Sequence, residues 1–126
     1  MIRYRYNEQL TPAAPFVRVS VSPPIGHDVG LEVPAQVDTG ADFTVIPLTV
    51  IESLGLEPLG EVPIFGVGGH LAVIASYLVQ IRIHDLPATE IKALASPDEP
   101  YVLLGRDVLN NHRIVFDGPN RVLDIE

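Results

Sequence analysis

The chain has no cysteine and no tryptophan, and it sets only 8 lysine and arginine residues against 16 aspartates and glutamates. Without cysteine, neither a disulfide framework nor a thiolate metal site can form. A formal net charge of −8 argues against the basic face of a nucleic-acid binder and against attraction to an anionic membrane surface. No apolar run approaches the roughly 18 residues that a membrane-spanning helix needs. The first residues, Met1-Ile2-Arg3-Tyr4-Arg5-Tyr6, lack the apolar centre of a signal peptide. Together with the missing cysteines, this sets the expectation of a soluble, cytoplasmic protein with no membrane or nucleic-acid partner. The four histidines, His27, His70, His84 and His112, show no zinc spacing. No serine sits in a Gly-x-Ser-x-Gly elbow, and the glycine-rich stretch at 66–69 is not followed by the Lys-Ser/Thr of a phosphate loop. Metal and organic cofactors are therefore not expected.

What the chain does have is a large apolar fraction in short pieces. Its 126 residues are 47% hydrophobic, and 12 prolines and 10 glycines interrupt them at short intervals. This length fits one domain over 1–126 with a single core, and the segment 1–13 is expected to be peripheral. Short Val-, Ile- and Leu-rich runs between turn residues predict an all-β fold, a sandwich or a barrel, with one or two short helices. Strands are expected at 16–21, 31–37, 44–46, 77–83, 90–95 and 101–104. Pro23-Pro24-Ile25-Gly26 reads as a loop. A helix is expected over 48–56, ending near Gly55, and another short one after Gly105-Arg106-Asp107, through Asn110. Segments 61–65 and 71–75 read as a hairpin with a glycine-rich tip, and 114–117 and 121–125 as a final hairpin around Gly118-Pro119-Asn120.

The most informative run is Val37-Asp38-Thr39-Gly40-Ala41-Asp42-Phe43-Thr44-Val45. On its own, Asp-Thr-Gly can be a turn whose Asp bonds its own backbone. Here, however, Asp38 ends an apolar strand and another apolar-leaning segment follows it. A second motif, Leu103-Leu104-Gly105-Arg106-Asp107, lies downstream. The triplet of Asp38-Thr39-Gly40-Ala41-Asp42, Gly66-Val67-Gly68-Gly69 and Leu104-Gly105-Arg106-Asp107 resembles the three signatures of the retropepsin-like aspartic proteases, the retroviral-type proteases and their cellular and bacterial relatives. The resemblance covers about 14–126 and implies the all-β, closed-barrel-like form of the fold.

The resemblance implies a role for each matching position. Asp38 would be the catalytic carboxylate, and Thr39 would send its hydroxyl to the identical loop of a second chain. Gly40 would let the backbone pass close to substrate. Ala41 and Asp42 would line the cleft, and Gly66, Val67, Gly68 and Gly69 would form the tip of a flap, where the alternative is a plain hairpin. Leu103-Leu104-Gly105 would thread beneath the active loop, with Leu104 among the substrate-contacting positions. Arg106 would give structural support by pairing with a carboxylate, Asp42.

Hydrolysis without metal or nucleophile needs a base for water and an acid for the carbonyl or leaving amine. Two adjacent carboxyls that cannot ionise together supply both. No other Asp in the chain precedes Thr-Gly or Ser-Gly, so the second carboxyl must come from an identical chain. The expected function is an aspartic endopeptidase, active as a homodimer on peptide or unfolded-protein substrate. The alternative is a non-catalytic peptide-binding or assembly module of the same fold. Phe43, together with Phe16, Phe65 and the aliphatic residues of the flap, points to apolar substrate side chains. The 114–125 hairpin is longer than the terminal strand of the retroviral enzymes. It is expected either to build the dimer interface or to cap the core of one chain.

Overall fold

The computed structural model describes residues 1–24, 30–66 and 68–126. The expected loop residues Ile25 and Gly26, His27, and the flap-tip Val67 lie outside them.

Among the described residues, ten strands and two short helices follow in the order β1 (Ile2–Arg5), β2 (Phe16–Ser22), β3 (Leu31–Val37), β4 (Val45–Pro47), α1 (Leu48–Leu54), β5 (Gly60–Phe65), β6 (Leu71–Ile83), β7 (Thr89–Ser96), β8 (Val102–Leu104), α2 (Arg106–Leu109), β9 (Ile114–Asp117) and β10 (Val122–Ile125). The larger sheet runs β2-β3-β8-β4-β7-β6-β5, and β2 also pairs with β6. That extra pairing closes six strands into a barrel and leaves β5 hanging from β6 outside the ring. Alternation places the core. Along β2, Val17, Val19 and Val21 are buried while Arg18 faces out, the period-2 pattern of a strand with one face on the core. Ile46, Val79, Val102 and Leu104 are also fully buried.

α1 has no side-chain cap at its N-terminus, and it ends where Gly55 turns left-handed at φ 65°. Glycine takes that conformation without the Cβ penalty. The pattern around Ser76 suggests a break between two strands, yet β6 continues unbroken for 13 residues. Ser76 pairs with Gly60 of β5 on one side and with Leu94 of β7 on the other, and its buried hydroxyl donates to the Gly60 carbonyl at 3.2 Å. With its polar atom satisfied, the serine does not interrupt the strand.

A second sheet, β1-β10-β9, is built from the two ends of the chain. The segment expected to be peripheral contributes β1, which pairs antiparallel with β10 from Ile2↔Ile125 to Arg5↔Val122. One face of this sheet closes the core through Leu123 and Ile125, both fully buried, with Ile2 and Tyr4 beside them. On the other face, Arg3 Nε donates to Asp124 Oδ1 at 2.8 Å. That hydrogen bond holds the Asp124 carboxyl below its ordinary range. Both groups face solvent, so the pair adds little stability. No helix among the described residues is long and apolar enough to cross a membrane.

Because Leu123 joins the terminal sheet to the barrel core, Leu123→Ala is expected to destabilise the chain by about 2–5 kcal/mol. Chemical denaturation measures this, and a loss under about 1 kcal/mol would place the terminal sheet outside the core.

Candidate active site

Asp38 sits just beyond the end of β3. There β3 runs parallel to β8, with Val37 opposite Leu104. The ladder is extended by one bond, from the Asp38 N–H to the Leu104 carbonyl at 3.0 Å. The chain then turns tightly. Asp38 Oδ1 accepts from the Gly40 N–H at 3.1 Å, and the Asp38 carbonyl accepts from the Ala41 N–H at 3.2 Å. The self-bonded Asp turn and the strand-mounted Asp are therefore both present in one structure. Asp38 is half-buried, while Thr39 and Gly40 are exposed.

The second motif locks this loop from below. The Arg106 N–H donates to the Ala41 carbonyl at 2.9 Å. Arg106 Nη1 reaches the Thr39 carbonyl at 2.7 Å, and Nη2 pairs with Asp42 Oδ1. One guanidinium thus grips both ends of the turn through fixed, forked donors. Gly105 makes the approach possible. A Cβ there would lie 2.7 Å from the Phe43 carbonyl carbon and 2.8 Å from its oxygen, so only glycine fits.

The motif pattern left two further residues without a role. Thr44 is completely buried. Its hydroxyl donates to Asp107 Oδ1 at 2.6 Å and accepts from the Gly105 N–H at 3.0 Å. Asp107 Oδ2 in turn accepts from the Thr44 N–H at 2.9 Å. The polar pair Thr44 and Asp107 therefore ties the two motif loops together inside the protein. Asp107 stood in the second motif without an assigned role, and Thr44 had only its place two residues after Asp42 as a signal.

Leu104 also needs correction as a substrate contact. Its side chain is sealed in the core, because alternation in β8 turns Val102 and Leu104 inward and leaves Leu103 half-exposed. Leu104 reaches the site through its backbone carbonyl alone. Phe16 likewise lies elsewhere, packed edge-on against Tyr101 with ring centroids 4.9 Å apart.

Across the loop stands the β5–β6 hairpin. The Gly66 N–H donates to the His70 carbonyl at 2.9 Å, and Gly68 and Gly69 take φ of 87° and 76°, a region that favours glycine. His70 is exposed. A cavity of about 480 Å³ separates the hairpin from the active loop, lined by Gly40, Asp42, Phe43 and Val45 below and by Pro63, Ile64 and Phe65 above. The structure thus brings Gly40, Asp42 and the hairpin around one cleft, with Phe43 in its wall; Asp38 sits behind that lining, joined to it through the Gly40 N–H.

A closed barrel with an Asp-Thr-Gly loop under a glycine-tipped hairpin defines an acid-protease fold built around one carboxylate. The aspartyl protease family matches residues 25–108, and the chain belongs to this family, on its retropepsin-like branch. Solved structures agree. A retropepsin-like aspartic protease from Rickettsia conorii is similar at TM-score 0.66 and 18% identity, covering 97% of this chain and 86% of that one. The EIAV protease, solved with the inhibitor HBY-793, is similar at TM-score 0.60 and 25% identity, covering 78% and 86%. The simian foamy virus protease gives 0.57 and 21%, covering 75% and 91%. Among curated proteins, none matches the chain significantly.

Thr44→Val keeps the shape but leaves the Gly105 N–H and a carboxylate oxygen of Asp107 without their buried partner. A loss of about 1–3 kcal/mol is expected, read as a lower midpoint in thermal or chemical unfolding. An unchanged midpoint would show that the Thr44–Asp107 tie is not structural.

Proposed function

We propose that this chain is an aspartic endopeptidase that works as a homodimer, each copy contributing one Asp38 to a shared site. One observation carries the reading: a loop held by Arg106 carries a single half-buried carboxylate directly behind the cleft-lining Gly40, beside an exposed Thr39 whose hydroxyl has no hydrogen-bond partner among the described residues. A twofold axis beside Asp38 completes the pair.

In this scheme the two carboxyls share one proton, because like charges a few ångströms apart do not both ionise. The ionised carboxylate takes a proton from water as the water oxygen attacks the scissile carbonyl. The protonated carboxyl gives its proton to the carbonyl oxygen. The tetrahedral intermediate collapses when the carboxyl that took the water's proton passes it to the amide nitrogen and the C–N bond breaks, while the other carboxylate takes a proton from a diol hydroxyl and restores the shared-proton pair. The scheme uses only water and side chains. The substrate is a peptide or unfolded segment, lying extended beneath the hairpin and pairing its backbone with it as an added strand. The wall formed by Phe43, Val45, Ile64 and Phe65 favours a bulky apolar side chain next to the scissile bond. The acidic, cysteine-free composition supports a cytoplasmic setting.

Asp38→Asn keeps the size of the side chain and removes the acid–base function. Peptide-library digestion is expected to fall by more than about 10³-fold with unfolding unchanged. Equal cleavage by the variant would remove the enzymatic reading. Wild-type protein that binds peptides without cutting any would favour the assembly-module reading.

The same digestion tests the cleft wall. Cleaved sites are expected to carry bulky apolar residues, and Phe43→Ser is expected to lower kcat/KM for them by about 10-fold or more. Cleavage beside charged residues, indifferent to Phe43, would place the specificity pocket elsewhere.

A further inference from the structure

A second cavity, of about 270 Å³, lies between β1, the β2–β3 ladder and the residue that precedes β8. None of the residues around it lines the cleft. Its walls are aromatic. Phe16 and Tyr101 meet edge-on there, with Tyr4 beside them and Pro34 at the point of β3 just before its pairing with β8 begins. Two of the polar groups around the cavity are already committed. Arg18 Nε donates to Glu32 Oε1 at 2.9 Å and Nη2 to the Glu32 carbonyl at 3.4 Å, and the Tyr4 hydroxyl donates to the Arg18 carbonyl at 3.5 Å. Arg5 and Asn7 are not committed. Arg5 is exposed and makes no ion pair among the described residues. Asn7 is held by backbone bonds to and from Ala14, at 2.8 and 3.2 Å, and its Oδ1 accepts from the Gln9 N–H at 3.0 Å. That bond orients the amide and leaves Nδ2 a donor with no partner among the described residues. No carboxylate lines the cavity. In a chain of net charge −8, this is an apolar pocket whose two uncommitted nitrogen groups only donate, one of them as a cation.

We propose that this cavity binds a small carboxylate that carries an aromatic ring, the ring against Tyr4, Phe16 and Tyr101 and the carboxylate on Arg5 and Asn7. Each half of such a ligand answers one half of the pocket. Aromatic rings pack favourably edge-on against aromatic walls, and a guanidinium takes a carboxylate through parallel N–H donors. A neutral apolar ligand would leave those donors covered and unpaired, which is costly, and a cation would meet Arg5. The polarity sets the direction of binding: the ring points inward, where Phe16 is buried, and the carboxylate stays at the rim, where Arg5 is exposed. The size sets the class. A volume of about 270 Å³ falls just under the range of about 300–1,000 Å³ for drug-sized sites, so the occupant is one ring with a short acidic tail. That chemistry has two sources, a free arylalkyl acid and the C-terminal end of a peptide that finishes in an aromatic residue. The site does not depend on the endopeptidase reading, and it gives Phe16, which the fold turns away from the cleft, a use beside the unpaired Arg5.

Hydrocinnamate, its neutral amide and the tripeptide glycyl-glycyl-phenylalanine, each titrated into the protein and followed by NMR, test this. The acid is expected to bind saturably, moving the signals of Phe16 and Tyr101 and leaving those of Phe43 and Phe65 in place. The amide is expected to bind at least about 10-fold more weakly, since it forfeits the charge-assisted bonds. Arg5→Gln, at an exposed position, is expected to keep the unfolding midpoint and to bind acid and amide alike. The tripeptide separates the sources: on the same signals, tighter binding than hydrocinnamate marks a peptide end as the ligand, and weaker binding marks a free acid. Equal binding of acid and amide by the wild type overturns the site. So does acid binding that Arg5→Gln leaves undiminished, a response confined to Phe43 and Phe65, or no saturable binding of either hydrocinnamate or the tripeptide.

Discussion

Everything at the site depends on the parallel pairing of β3 with β8 and on what it forces together. Parallel strands bring the ends of two distant segments side by side, so the Asp38 turn and the Gly105-Arg106-Asp107 turn leave the sheet at the same place. Two loops that close need shared partners for their polar groups, since unpaired buried groups are expensive. The buried Thr44 hydroxyl answers this by bonding both Asp107 and Gly105. Arg106 does the same from the solvent side, through Thr39 and Asp42. The carboxylate is thereby held by backbone and by packing, which is how a reactive group is kept in one geometry.

From this follows the division of the molecule into a rigid and an open half. The barrel strands below the site are filled by fully buried Val, Ile and Leu. Above it, β5 pairs with β6 alone, and the hairpin exposes Phe65, Leu71 and Val73 at 59–75%. Such a surface costs stability in water unless something covers it. A substrate chain and a second copy are the occupants that the proposed function supplies, so the same feature that weakens the isolated chain serves the site.

Much of this was legible in the sequence because it rested on strong local rules. Strand β3 and the β9–β10 hairpin follow from period-2 patterning and turn residues. The barrel and the family followed from three short motifs in order. What stayed hidden was set by tertiary pairing. β1 is short and half charged, and it becomes a strand only because β10 lies beside it. β6 runs through Ser76 because two neighbouring strands hold it there. Leu104 and Phe16 were plausible cleft residues until the pleat of β8 and the course of β2 turned them away. The roles of Thr44 and of the motif residue Asp107 could not be read locally, since their value lies in meeting each other across more than sixty residues of chain.

A two-chain site needs two Asp38 carboxyls, one from each copy. The most direct measurement mixes wild type with Asp38→Asn at fixed total concentration, allows subunits to exchange, and records the cleavage rate. Two-chain sites predict a rate that follows the square of the wild-type fraction, about a quarter of full activity in an equal mixture. A rate that falls only in proportion to the wild-type fraction would show that each chain acts alone and would contradict the account.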